Sequence, residues 1–247
     1  MGLPSGTLWA TRNLDLTQPG KFAASAFQYE CSFFSWGNID GHNPISDMAF
    51  DYDWGGVNQA APWYEEQPYG STPGNTLTGN IPDGVEYDAA RANLGAPWRM
   101  PTIAEFAELF ANIIYIDANG DEVDTTKTDK RVTVNGVMGL YIQSKINGAR
   151  LFFSCSGDGN GRSWDSRGTG GLYWSSIWYS DRYARSLYFY SRGVFLGYGG
   201  NRYSGYAIRP VQSGLTTLSP SVMRKYIKSL MERVPMALDE PLEKYKL

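Results

Sequence analysis

The sequence predicts an α+β fold with two helices, short antiparallel strands and long ordered loops, followed by a helical C-terminal appendage. Two stretches repeat apolar residues at helical spacing between recognisable caps. Several short runs alternate apolar and polar residues, as half-buried strands do. Between them lie segments rich in Gly, Asn, Asp and Pro, in a chain with 28 glycines and 15% aromatic residues, which suits tight turns with large rings packed among them. With 247 residues, 42% of them hydrophobic, the chain can bury a substantial core. Residues 1–212 read as one domain and 213–247 as an appendage.

In chain order, Thr7-Leu8-Trp9-Ala10-Thr11-Arg12-Asn13-Leu14 alternates as a strand does and ends in a turn at Gln18-Pro19-Gly20. Residues 36–84 lack periodicity and read as long ordered loops. The first helix is Asp88 to Leu94, stopped by Gly95. The second follows Thr102, which with Glu105 forms a capping box, and carries Ile103, Phe106, Leu109 and Phe110 on one stripe. Asp117 to Asp121 reads as a hairpin turn; it lacks the spacing and the later Glu of a calcium loop. Strands are expected within 132–155 around Asn147-Gly148, with Leu151-Phe152-Phe153 buried. Residues 157–171 read as a second ordered loop, and short strands follow around 173–176, 186–190 and 206–209. Past Gln212, Ser219 and Pro220 open an amphipathic helix with Val222, Tyr226, Leu230 and Val234 on one face, stopped by Pro235.

Composition excludes several function classes. A net charge of −3 and a pI near 5.3 argue against a general binder of nucleic acid or anionic membrane, which needs a strong cationic excess. No apolar run is long enough for membrane insertion, and no secretory signal peptide is read at the N-terminus. The single histidine, His42, sits in a Gly-Asn-Pro loop without a Ser or Cys motif beside it. Cys31 and Cys155 lie in aromatic surroundings and read as buried free thiols. Phosphate loops, dinucleotide fingerprints and nucleophile elbows are absent, and Glu65-Glu66 on a Pro-rich loop reads as solvated. The expectation is therefore no catalytic residue, no metal and no cofactor.

The informative interval is 173–206. It holds 8 of the 17 tyrosines, with Arg182, Arg185, Arg192 and Arg202, a single acid, Asp181, and neither Lys nor Glu. Tyr, Trp and Arg offer large contact area with few rotors to freeze, and Ser and Gly adapt around them, which is the composition of a binding surface. Period-two alternation sets Leu187 and Phe189 on one face and Ser186, Tyr188 and Tyr190 on the other, so the second set is available for recognition.

An ordered set of blocks resembles the C-type-lectin-fold domains related to the Fibrobacter-type major paralogous domain and the variable proteins of diversity-generating retroelements. The blocks are Thr7 to Leu14, Phe34-Ser35-Trp36-Gly37, Trp98-Arg99-Met100-Pro101-Thr102 with Glu105, and Asn135-Gly136-Val137-Met138-Gly139. Gly171-Leu172-Tyr173-Trp174-Ser175-Ser176 and Gly205-Tyr206-Ala207-Ile208-Arg209-Pro210-Val211 complete the set, which spans about residues 3–212. The resemblance implies a C-type-lectin-like scaffold and adenine-directed variation at Ile177, Tyr179, Arg182, Tyr183, Ser186, Tyr188, Tyr190, Arg192, Phe195 and Tyr198. Tyr173, Trp174, Leu187, Phe189, Arg202, Ile208 and Arg209 would be scaffold. Trp178, Ser204 and Tyr206 join the variable positions in the expected ligand-binding surface.

The calcium motifs of sugar-binding C-type lectins do not occur, which disfavours calcium-dependent sugar binding. Cys31 and Cys155 do not match the close cysteine pair of formylglycine-generating enzymes, which share the broader fold. The expected function is recognition of a protein or glycan receptor on a cell surface, from a phage virion or a bacterial surface, with a homo-oligomer as a further partner. A formylglycine-generating-like oxidase and a structural assembly protein of a virion or cell surface stay as alternatives.

Overall fold

The computed structural model describes residues 1–54, 77–124 and 126–213. Strands β1 (Leu8–Trp9), β2 (Phe33–Phe34), β3 (Pro44–Ser46) and β4 (Ala49–Trp54) come first. Helix α1 (Ala89–Leu94), strand β5 (Trp98–Arg99) and helix α2 (Ile103–Ala111) follow. The rest is strand: β6 (Ile113–Tyr115), β7 (Val132–Val134), β8 (Val137–Ser144), β9 (Arg150–Ser154), β10 (Asp158–Asp165), β11 (Gly171–Trp178), β12 (Tyr183–Tyr190), β13 (Gly193–Asn201), β14 (Tyr206–Ala207) and β15 (Val211–Gln212). The described residues thus form an α+β fold dominated by strands. The predicted C-terminal helix and Glu65-Glu66 lie outside them, as does the 55–76 part of the first loop.

Both helices form where their caps predict. Asp88 accepts from the Arg91 amide at 2.9 Å and from the Met100 amide at 3.0 Å, tying α1 to β5. Gly95, at φ 74°, takes the left-handed conformation that ends the helix. At α2 the capping box is complete: the Glu105 amide donates to Thr102 Oγ1 at 3.2 Å and the Thr102 amide to Glu105 Oε2 at 2.8 Å. Arg99 adds a 2.9 Å bond to Glu105 Oε2. Burial pushes the Glu105 carboxyl up, but Arg99 and Thr102 together outweigh it and hold the group below its ordinary range.

The largest sheet has the order β13-β12-β11-β14-β2, with β11 and β14 parallel. Flanking it are a β1-β15-β5 sheet, a β10-β4-β3 sheet, and one in which β8 pairs with β6, β7 and β9. One apolar cluster, including Phe106, Phe153, Tyr173, Leu187, Phe189 and Leu196, fills the space between α2 and one face of the largest sheet. A second, including Phe34, Trp36, Ala89, Leu172, Trp174 and Tyr206, covers the middle of the other face on the α1 side. Each buried large side chain stabilises the fold by about 1.5–3 kcal/mol relative to exposure.

Two loop readings are corrected. Residues 36–84 include the β3–β4 hairpin, and residues 157–171 include the eight-residue β10. Their glycines mark places where a ring lies on the backbone. A Cβ at Gly159 would stand 2.1 Å from Trp54 Nε1, and one at Gly205 2.5 Å from the same indole. Trp54 fills the slot at the Gly159–Gly205 bridge, where β10 meets the chain entering β14. The turn at Asp117 forms as expected: Asp117 Oδ1 accepts from the amides of Asn119 at 2.8 Å and Asp121 at 3.0 Å.

Candidate functional site

Strands β11, β12 and β13 run antiparallel and carry the aromatic interval. The short strands expected there are eight or nine residues long, and β13 lies where no strand is expected. Tyr188 pairs with Phe195 and Ser186 with Tyr198, so four of these side chains share a face. Phe195 and Tyr198 are three apart and would point oppositely in a regular strand. A bulge at Gly197, with φ 78°, restores them to one face.

On that face the rings of Tyr188 and Tyr190 are parallel, with centroids 4.9 Å apart and an 11° interplanar angle. Tyr198 lies 4.8 Å from Tyr188 and Phe195 5.7 Å from Tyr190. All four rings are half-buried. The reverse face is closed, since Leu187 and Phe189 are 0% exposed. This is the arrangement that the alternation predicts for Leu187, Phe189, Tyr188 and Tyr190.

A second cluster lies at the β11–β12 turn, on the reverse side of β12, where Tyr183 and Arg185 alternate with Ser186 and Tyr188. Tyr179 and Tyr183 are 6.4 Å apart, and the Arg185 guanidinium stands 3.5 Å above the Tyr179 ring. Arg185 also donates to the Gly197 carbonyl at 2.7 Å, so the bulge that aligns Tyr198 anchors this cation too. Arg182 is exposed at the same turn and Arg192 at the opposite, β12–β13 turn.

The remaining expected contact residues are placed otherwise. Ser186, Ser204 and Tyr206 are buried, at 0%, 5% and 4% exposure. Ser186 donates to the Tyr198 carbonyl at 3.1 Å, and Tyr206 stacks on Trp174 at 4.1 Å. Period two identifies the shared face but not how far the second core extends across it. Ile177 packs towards the α2-side core and Trp178 towards the opposite one, both half-buried. The residues expected as scaffold, Tyr173, Trp174, Leu187, Phe189, Arg202, Ile208 and Arg209, are all buried.

Sequence reasoning misses Asp158. The Gly157–Gly171 and Gly159–Gly205 bridges flank it and hold it where β10 crosses between β11 and β14. Ser166 bonds its carboxyl, and a Cβ built on Gly170 would be 3.5 Å from both Ser166 Cβ and Tyr188 Cε2. The carboxyl acts electrostatically on both Tyr188 and Tyr206. Burial, then the neighbouring Asp165, raise it from an ordinary value of 3.8 to about 7. Burial, then Tyr190 and Asp158, push the Tyr188 phenol up to about 12. In sequence, Gly157-Asp158-Gly159 reads as turn chemistry and gives no sign of this position.

The raised carboxyl makes stability depend on pH. Below pH 3.8 both folded and unfolded chains hold the proton. As pH rises towards 7, only the folded chain keeps it, so the stability associated with the neutral form is progressively lost. Asp158→Asn should remove that loss, gaining on the order of 1–3 kcal/mol over wild type at alkaline pH after allowing for solvent screening. At acid pH the two should nearly coincide. Urea midpoints across the pH range check this, and parallel curves would contradict the burial of the charge.

The other candidate chemistry is packed away. Cys31 and Cys155 are free and buried; burial raises both thiols, Cys155 to about 12, opposite to what a reactive thiolate needs. His42 stacks on Tyr52 at 3.5 Å. Among the described residues, no group of three or more His, Cys, Asp or Glu is placed to hold a metal ion, and no helix is long and apolar enough to cross a membrane. Comparison with protein-family models, curated proteins and solved structures finds no match to this chain.

Proposed function

We propose that this is a ligand-binding protein that presents the Tyr188, Tyr190, Phe195 and Tyr198 face to a protein or glycan receptor on a cell surface. The carrying observation is the contrast between the two faces of one ribbon. One is closed over a core at Leu187 and Phe189, and the other presents four half-buried rings in mutual contact. Aromatic side chains on a rigid sheet give contact area at little ordering cost. The scaffold is read as C-type-lectin-like and the protein as a retroelement variable protein, carried by a phage virion or a bacterial surface. That reading rests on the ordered sequence blocks. The stacking of Trp174 on Tyr206 and the bond from Arg209 to Asn13, which join residues of different blocks, support it.

Two measurements test the reading. Sequencing the encoding locus should find a reverse transcriptase and a near-repeat of codons 173–211 that differs mainly at adenines; its absence ends the retroelement assignment. Tyr190→Ala with Phe195→Ala should cost no more than about 2 kcal/mol, because both rings are already part-exposed. The variant should keep the wild-type mass in solution. An obligate oligomer that this double substitution dissociates would instead make the face an assembly interface and overturn the receptor reading.

A further inference from the structure

Resting on that reading, we infer that the receptor is a protein that adds an extended strand to the outer edge of β13 at Gly199, setting alternate side chains beside Tyr198 on one face of the sheet and beside Tyr179 on the other. β13 is the outermost strand of the largest sheet. Three hydrogen bonds fix which of its main-chain groups face outward. The Tyr198 carbonyl accepts from the Ser186 hydroxyl at 3.1 Å and so faces β12. The Arg185 carbonyl accepts from Ser175 Oγ at 2.6 Å and so faces β11. Two residues earlier, the Tyr183 amide donates to the Ser180 carbonyl at 3.2 Å, also away from β13. Gly199 pairs with Arg185 and follows Tyr198. By the alternation of an antiparallel ladder, its N–H and C=O therefore point away from β12. Among the described residues, no backbone group bonds either of them. Gly199 is half-buried, and because it has no side chain, its exposed part is backbone.

The strand carries little that would keep another strand away. Gly193–Asn201 contains no charged residue and no proline, the residues that commonly guard an exposed edge; its one irregularity is the bulge at Gly197. A residue opposite Gly199 exchanges both main-chain bonds with it, a pairing that a polypeptide makes and a glycan does not. Cross-strand partners share a face. The side chain of that residue therefore falls on the side where Tyr179 lies against Gly199, since a Cβ built there would be 3.2 Å from Tyr179 Cδ1. Its neighbours along the added strand fall on the opposite side, beside Tyr198. One partner strand thus reaches both aromatic clusters, although they lie on opposite sides of the ribbon. A regular receptor strand is favoured over a second copy of β13, because a second copy brings its own bulge and interrupts the pairing twice.

The test titrates the full chain, isotope-labelled at its amides, with the peptide acetyl-Glu-Thr-Val-Thr-Val-Thr-Glu-amide. The Gly199 amide resonance should shift saturably, with a dissociation constant on the order of 1 mM, and its hydrogen exchange should slow. N-methylating the central residues of the peptide keeps its side chains but removes donors from both of its edges, and should weaken binding about tenfold. Gly199→Pro removes the outward N–H at a position where an edge strand accommodates proline, and should also weaken binding about tenfold, with the urea midpoint confirming the fold. Equal binding of the methylated peptide, no saturable shift at Gly199, or unchanged binding by folded Gly199→Pro overturns strand addition. So does a dimer of the free chain that Gly199→Pro dissociates, which gives the edge to a second copy. Each of those results leaves the receptor reading intact, because that reading fails when Tyr190→Ala with Phe195→Ala dissociates an obligate oligomer.

Discussion

Replacing Arg209 with Met should destabilise the chain by about 3–5 kcal/mol, although it removes a buried charge. Arg209 is 1% exposed. Its Nε donates to Asn13 Oδ1 at 2.8 Å, one terminal nitrogen to the Ala10 carbonyl at 3.2 Å and the other to the Phe152 carbonyl at 2.7 Å. The guanidinium lies 4.6 Å from the Phe153 ring centre. These acceptors are neutral, so burial prevails and lowers the pKa of the group. Met relieves that desolvation, which favours the variant. Against this, three acceptors lose the donor facing them, at about 1–3 kcal/mol each, and the second sum is larger. The N-terminal loop, β9 and the segment between β14 and β15 would lose their common tie. Urea unfolding measures the difference, and Arg209→Lys should recover only part of it, because one ammonium cannot reproduce the planar fork. A Met variant within about 1 kcal/mol of wild type would show that desolvation offsets the bonds and that Arg209 is not a structural tie.

Much of this fold is legible in the sequence where chemistry is local. Gly95, Thr102 and Glu105 mark helix ends because capping is settled within four residues, and they act as predicted, while Asp88, read as the first helical residue, is the N-cap. Leu187 and Phe189 are legible as core because strand alternation is equally local. The strands β10 and β13 are not legible. The glycines of β10 read as loop, yet Gly159 receives Trp54, and in β13 Gly200 receives Trp174, from segments distant in sequence. A glycine that permits close approach and one that permits a turn look alike until the approaching ring is known. The same limit applies to Ser186 and Tyr206. They lie on the expected face, but the second core extends over them and leaves only its margin at Tyr188, Tyr190, Phe195 and Tyr198 open.

Gly157→Ala should cost about 3–5 kcal/mol and disturb the tyrosine face from a distance. Gly157 has φ 72°, and an added Cβ would stand 2.1 Å from the Asp165 carbonyl oxygen, 2.7 Å from the Arg167 amide nitrogen and 2.9 Å from the Ser166 carbonyl carbon. All three are backbone atoms, so no rotamer change relieves the contact. The Gly157 amide also donates to the Gly170 carbonyl at 2.8 Å, and moving it would displace Asp158, Ser166 and the segment beneath Tyr188. Gly161 separates the two contributions: it has φ 55° with nothing within 4 Å of a built Cβ. Gly161→Ala carries only the left-handed backbone penalty, about 1–2 kcal/mol. Hydrogen exchange in Gly157→Ala should show lost protection at Gly157, Gly159 and Gly205, with Leu140 and Ile142 in β8 retained. Equal destabilisation by the two alanines would place the cost in backbone conformation alone and show that close packing at Gly157 does not hold Asp158 in place.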